Sequence, residues 1–147
     1  MRDIEIFDGT VAENIHVGRT EVLDADVQRG IRVAGLDEEL AHLRLGLSTP
    51  LVRGSGSPLT ESQLCRLMIA RAVAGKPRLL LIDGLLDMLS PEILDHVVPA
   101  LFATGESTTI LVITSRPEVI RRCNRTMSLE ADGHDQEAAF SASGGHS

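Results

Sequence analysis

The stretch Leu59–Ser90, LTESQLCRLMIARAVAGKPRLLLIDGLLDMLS, constrains the fold of this chain more than any other. Thr60-Glu61-Ser62-Gln63 fits a T-x-x-Q capping box, in which a hydroxyl and an amide satisfy free backbone N–H groups at a helix start. Gly75-Lys76-Pro77 ends that helix in a turn, because proline cannot continue it. Leu79–Ile82 is a short unbroken apolar run, which predicts a parallel strand covered by helices on both faces. The run closes on Asp83, and open α/β sheets gather ligand chemistry at the carboxyl ends of their strands. A helix, a turn and a buried strand in that order point to an α/β fold.

The flanking sequence extends this reading. Ile4–Phe7 is a short β-prone run. Asp8-Gly9 is turn chemistry, after which Thr10 caps a short helix, Val11–Ile15. A helix follows over Asp24–Ala34, capped by Asp24 or Asp26 and stopped by Gly35. Another starts at Asp37, with Leu36, Leu40 and Leu43 buried. Ser48–Pro58 reads as a loop. Ser90-Pro91-Glu92 starts a further helix, its apolar face Leu94, Val97, Val98, Leu101 and Phe102, which Pro99 should kink or interrupt. Thr108–Ile113, β-branched at five of six positions, is a second buried-type strand. A turn at Ser115-Arg116, a helix over Pro117–Cys123 and a half-exposed strand over Thr126–Glu130 complete the series. The expected fold is α/β, a small, mostly parallel sheet (strands near 4–7, 79–83, 109–113 and 126–130) with a helical subdomain over about 10–75. The second part covers about 76–130, and 131–147 reads as a disordered tail. There is no internal repeat.

Composition excludes several function classes. With three Phe and neither Trp nor Tyr, the chain has few platforms on which bases could stack. A formal net charge of −7 argues against a general nucleic-acid binder. No apolar run approaches the ~18 residues of a membrane span. Cys65 and Cys123 read as reduced packing thiols. The five histidines show no partner spacing for a metal.

The organising stretch resembles the signature helix and Walker B strand of ATP-binding-cassette (ABC) ATPases. Gln63, Arg66, Leu67, Ala70, Arg71, Ala72, Pro77 and Asp83 fall in that pattern's register. IEIFDGTVAENIHVGR resembles the segment after the Q-loop of exporter-type members, F-x-G-T-x-x-E-N-I, on Phe7, Gly9, Thr10, Glu13, Asn14 and Ile15. Arg2 stands where the Q-loop glutamine is expected. The 48–58 loop is similar to T-x-V-G-E-R-G, with Val52 and Gly56 in place, Gly54 at the acidic position and Ser55 at the arginine position. The resemblance covers roughly residues 2–130, the second half of a nucleotide-binding domain. It implies Mg-ATP as cofactor, with a transmembrane domain and a second nucleotide-binding domain as partners. It also implies a cytoplasmic chain brought to the inner face of a membrane by its partner.

The chemistry expected of that family is largely missing from these residues. A P-loop needs G-x-x-x-x-G-K-[ST]; the single lysine, Lys76, lies in Gly-Lys-Pro, and Gly54-Ser55-Gly56-Ser57 has none. The resemblance assigns Asp83 to magnesium binding through water, and Thr60, Glu61, Ser62 and Gln63 to a clasp on the γ-phosphate held by a second domain. Gly84 stands at the water-polarising glutamate, Ser115 at the switch histidine and Ser90 at the D-loop aspartate. No catalytic residue is therefore assigned. Glu61 facing a phosphate ~4 Å away would be repelled by at most about 4 kcal/mol at an effective dielectric near 20. The plain alternatives are a well-capped helix at Thr60 and a turn acid at Asp83. Three functions fit: a degenerate, non-hydrolysing partner subunit; half of an active ATPase whose P-loop is on another chain; or a remnant of a longer frame. In the family the P-loop strand pairs beside the strand matching Thr108–Ile113. That edge is expected to be open here, and the chain marginally stable unless it is covered.

Overall fold

The computed structural model describes residues 5–54, 56–106 and 108–129. Its central element is α4, Glu61–Ala74. The capping box forms as the sequence predicts: Thr60 Oγ accepts the Gln63 N–H, and Gln63 Oε1 accepts the Thr60 N–H at 2.9 Å. Cys65, Leu67, Ile69, Ala70, Val73 and Ala74 are all buried, so α4 is covered on most sides. Helix α2, Asp24–Val33, packs against it. At Gly30 the two backbones come so near that an added Cβ would stand 2.5 Å from the Ala70 carbonyl oxygen.

The flanking helices are α1, Val11–His16, and α3, Asp37–His42. Thr10 and Glu13 form a second reciprocal capping box at the start of α1. The start of α2 differs from expectation: Leu23 is the cap residue, and the Asp26 carboxylate reaches back to accept its N–H at 3.2 Å. Gly35 turns the chain at φ +62°. Leu36 and Leu40 are buried and Leu43 half-buried.

Two separate strand pairs are present among the described residues. β1 (Gly9–Thr10) pairs antiparallel with β2 (Pro50–Leu51). β3 (Leu79–Asp83) pairs in parallel with β4 (Thr109–Ile113), in register from Leu79 opposite Thr109 to Asp83 opposite Ile113. Helix α5, Pro91–Phe102, makes the crossover and runs unbroken through Pro99. The carbonyl that loses its helical donor there belongs to Asp95, an exposed residue within reach of water. Helix α6 is a single turn, Pro117–Ile120, shorter than expected.

Three strand expectations are corrected. The run 4–7 forms no strand over 5–7, and Ile4 lies outside the described residues. Side chains satisfy that backbone instead: Asn14 bonds both the N–H and the carbonyl of Phe7, Arg71 reaches Glu5, and Arg53 reaches Ile6. Of the run 126–130 only Thr126 makes a β-bridge and 127–129 are irregular, while Glu130 and the tail fall outside the described residues. β3 is not covered on both faces: Leu80 and Ile82 enter the core, whereas Leu79 and Leu81 are 61% and 59% exposed. β4 repeats the pattern, with Leu111 and Ile113 exposed on the same bare side. No described helix is long and apolar enough to cross a membrane.

Candidate functional site

The start of α4 carries the four signature-position residues. Thr60 and Gln63 are engaged with each other's backbone, Glu61 is exposed in the first turn, and the buried Ser62 Oγ has no partner among the described residues. A helix N-terminus attracts anions through its free N–H groups and dipole. Here the Gln63 N–H is already capped, and Glu61 places a carboxylate at that end.

The carboxyl ends of β3 and β4 lie side by side. Asp83 closes β3 opposite Ile113, and the next residue, Gly84, donates its N–H to the Ile113 carbonyl at 2.8 Å. Gly84 has φ +60°, a conformation that is strained for any residue with a Cβ. Beyond it, Asp87 ties the two loops together. Its carboxylate accepts the Ser115 N–H at 3.0 Å, the Ser115 hydroxyl at 2.9 Å and the Thr114 hydroxyl. Burial pushes the Asp87 carboxyl up, but these bonds more than offset it and hold it below its ordinary value. Arg116 adds a bond to the Leu89 carbonyl at 3.0 Å. Both donors of Ser115 are thus taken by an anion of the same chain. Asp87 was not singled out from the sequence; an acid in a short turn after a strand is too common a pattern to signal this role. Among the described residues no group of three or more His, Cys, Asp or Glu is placed to hold a metal.

Lys76, absent from any phosphate loop, has a structural partner. Its Nζ stands 2.6 Å from the Asp26 carboxylate, linking the start of α2 to the turn before β3. The Lys76 hydrogen bond, then the Leu23 N–H, holds the Asp26 carboxyl below its ordinary value. Residues from two separate sequence patterns also meet. Arg71 of α4 lies 5.6 Å over the Phe7 ring, and its guanidinium donates to the Asn14 carbonyl and side chain. Both cysteines are free thiols, Cys65 buried and Cys123 half-buried, and burial raises the pKa of each.

A surface groove of about 830 Å³ opens between α1, the start of α2 and Leu47. Phe7, Ala12, Val27 and Leu47 supply its apolar lining, and Asp8, Glu13 and Asp24 its carboxylates. Among the described residues no lysine or arginine lines it.

The helical layer on a parallel β3–β4 pair, with an acid ending β3, defines a partial ABC ATPase fold. A solved bacterial Atm1-family ABC exporter with ATP bound superposes with a TM-score of 0.74 at 23% identity, covering 85% of this chain and 22% of that one. The relatives of this chain are ABC transporters. It is 35% identical over 128 residues to the ABC multidrug transporter MDR2 of Trichophyton tonsurans, covering 85% of this chain and 9% of that protein. It is 37% identical over 130 residues to the ATP-dependent lipid A-core flippase of Burkholderia orbicola, covering 88% of this chain and 22% of the flippase. The chain thus spans 9% to 22% of the length of these relatives. No family model matches it.

Proposed function

We propose that this chain is a degenerate ABC nucleotide-binding region that does not hydrolyse ATP alone and serves as a partner within a transporter. The observation that carries the reading is Asp87. Its charged carboxylate takes the hydroxyl and the N–H of Ser115, the residue at the switch-histidine position, so neither group is available to a γ-phosphate. Glu61 at the start of α4 and Gly84 after Asp83 support the same conclusion, because one repels phosphate and the other cannot polarise water. Asp83 and the Thr60–Gln63 turn then act as scaffold, holding magnesium or phosphate only if another chain delivers the nucleotide. The surface offered to a transmembrane partner is the groove beside α1, in the segment that resembles the region following a Q-loop. Calorimetric titration of the intact chain with Mg-ATP tests the proposal. Binding weaker than millimolar is expected, and micromolar binding overturns it.

A second reading has its own observation. Leu79, Leu81, Leu111 and Ile113 form a bare apolar face on the parallel pair, and β4 is an edge of that two-stranded sheet. A polypeptide carrying a P-loop strand could add to that edge and cover that face. Mg-ATP turnover on mixing such a polypeptide with this chain, absent from either alone, would favour the split-enzyme reading.

A further inference from the structure

We propose that a small cavity at the start of the parallel sheet binds one hydrogen-bearing oxyanion, hydrogenphosphate, between Arg29, Lys76, Thr104 and Thr108. The cavity has a volume of about 130 Å³ and lies where α2, the turn after α4 and the amino ends of β3 and β4 converge. Asp83 stands at the opposite end of β3, so this site is separate from the strand ends described above and does not rest on the partner role. A water takes up ~30 Å³, which makes the space a match for the four oxygens of a tetrahedral anion. Pockets for drug-sized ligands begin near 300 Å³, and a nucleotide does not fit.

Arg29 and Lys76 are the charged residues of its described lining. Arg29 donates one terminal N–H to the Val73 carbonyl at 2.8 Å, while its Nε is buried and has no acceptor among the described residues. An orphaned donor on a guanidinium is destabilising, and native folds supply such a group with an ion or an ordered water. Charge favours the ion. Lys76 Nζ pairs with the Asp26 carboxylate at 2.6 Å, and the same carboxylate feels Arg29. An ammonium carries three N–H donors, however, and one carboxylate does not neutralise two cations. The site keeps a net positive charge that water does not balance. The hydroxyls then set the choice of anion. Thr104 donates to the Leu101 carbonyl at 2.6 Å and Thr108 to the Pro77 carbonyl at 2.8 Å. With their hydrogens committed, both oxygens are left only to accept. Sulfate is fully ionised and offers them no hydrogen. Hydrogenphosphate offers its P–O–H to a threonine oxygen and its charged oxygens to the guanidinium and the ammonium.

Calorimetric titration of the intact chain with sodium phosphate at constant ionic strength is the direct test, with sodium sulfate as the control. Saturable one-to-one phosphate binding is expected, about tenfold or more tighter than sulfate, the difference one hydrogen bond to a charged group makes. Because the ion binds the folded state, phosphate at ten times its Kd should lower the unfolding constant about tenfold in urea melts. Both salts also stabilise proteins by exclusion from their surfaces, so the reading is the difference between them. Arg29→Gln removes the charge and the orphaned donor and should weaken phosphate binding about tenfold or more. Thr108→Val keeps the side-chain shape and should narrow the preference for phosphate over sulfate; a Thr108 that serves only the Pro77 carbonyl would lower stability and leave the preference unchanged. Phenyl phosphate, an ester too large for the cavity, should not compete, and competition would overturn the assignment to a small ion. Equal phosphate and sulfate titrations, or heat without saturation, overturn the proposal and leave the cavity to water. Phosphate binding unchanged in Arg29→Gln also overturns it, by placing the ion elsewhere on the chain.

Discussion

Asn14 shows how much one fully buried polar side chain can settle. Its amide bonds both backbone groups of Phe7 and the carbonyl of Thr10, and its oxygen also accepts from Arg71. Replacing it with alanine leaves several of these groups without partners. Asn14→Ala should cost about 2–3 kcal/mol of stability, read as a lower urea midpoint at unchanged slope. Phe7, Asn14 and Arg71 were visible in the sequence as members of separate patterns, but their contact was not. No local periodicity links residues 57 positions apart in the chain. The Asp26–Lys76 pair escaped the sequence for the same reason. The Asp26 carboxyl is depressed in the folded state, so the pair adds stability above the ordinary carboxyl value of 3.8 and loses it as pH falls through the lowered one. Asp26→Asn keeps an acceptor for the Leu23 N–H and removes the charge. The variant should be less stable than the parent at pH 7, and the difference should close in acid melts below pH 3.8.

At the scale of elements, helices with reciprocal caps were legible from sequence, because hydroxyl and amide or carboxylate mark their own starts. α1 and α4 begin at Thr10 and Thr60 as those residues dictate. The parallel pair was legible too, since Leu79–Ile82 and Thr108–Ile113 are apolar runs with a helix between them. What covers a strand is not written in the strand. A continuous apolar run fits burial on both faces, yet Leu79 and Leu81 stay more than half exposed. At the strand ends, Asp83 was legible, whereas Asp87 gained its partners only when the crossover brought Ser115 beside it. Gly30 gives a sharper test of element packing. Alanine is intrinsically better in a helix by ~1 kcal/mol, but here its Cβ would meet the Ala70 carbonyl oxygen at 2.5 Å. Backbone cannot yield as a side-chain tip does, so Gly30→Ala should destabilise by about 1–3 kcal/mol in denaturant melts, steric cost exceeding propensity.

For the molecule as a whole, the bare side of the sheet governs behaviour in solution. Four large apolar side chains, each about half exposed or more, share one face of the two-stranded parallel sheet of the described residues, a combination that favours association between copies. Sedimentation velocity should show concentration-dependent association of the parent chain. Leu81→Lys/Leu111→Glu should suppress it while moving the thermal midpoint little, because the replaced side chains contribute little burial to the fold. The Asp26–Lys76 link has a different consequence at this scale. The chain contains one side-chain amine, and that amine is occupied in holding the start of α2 to the turn before β3. Acylating reagents therefore find a single lysine target, and their rate there should report how often the link opens. A dye coupled at Lys76 would give a reporter with no competing side-chain label, reading the join between helices and sheet from one defined point.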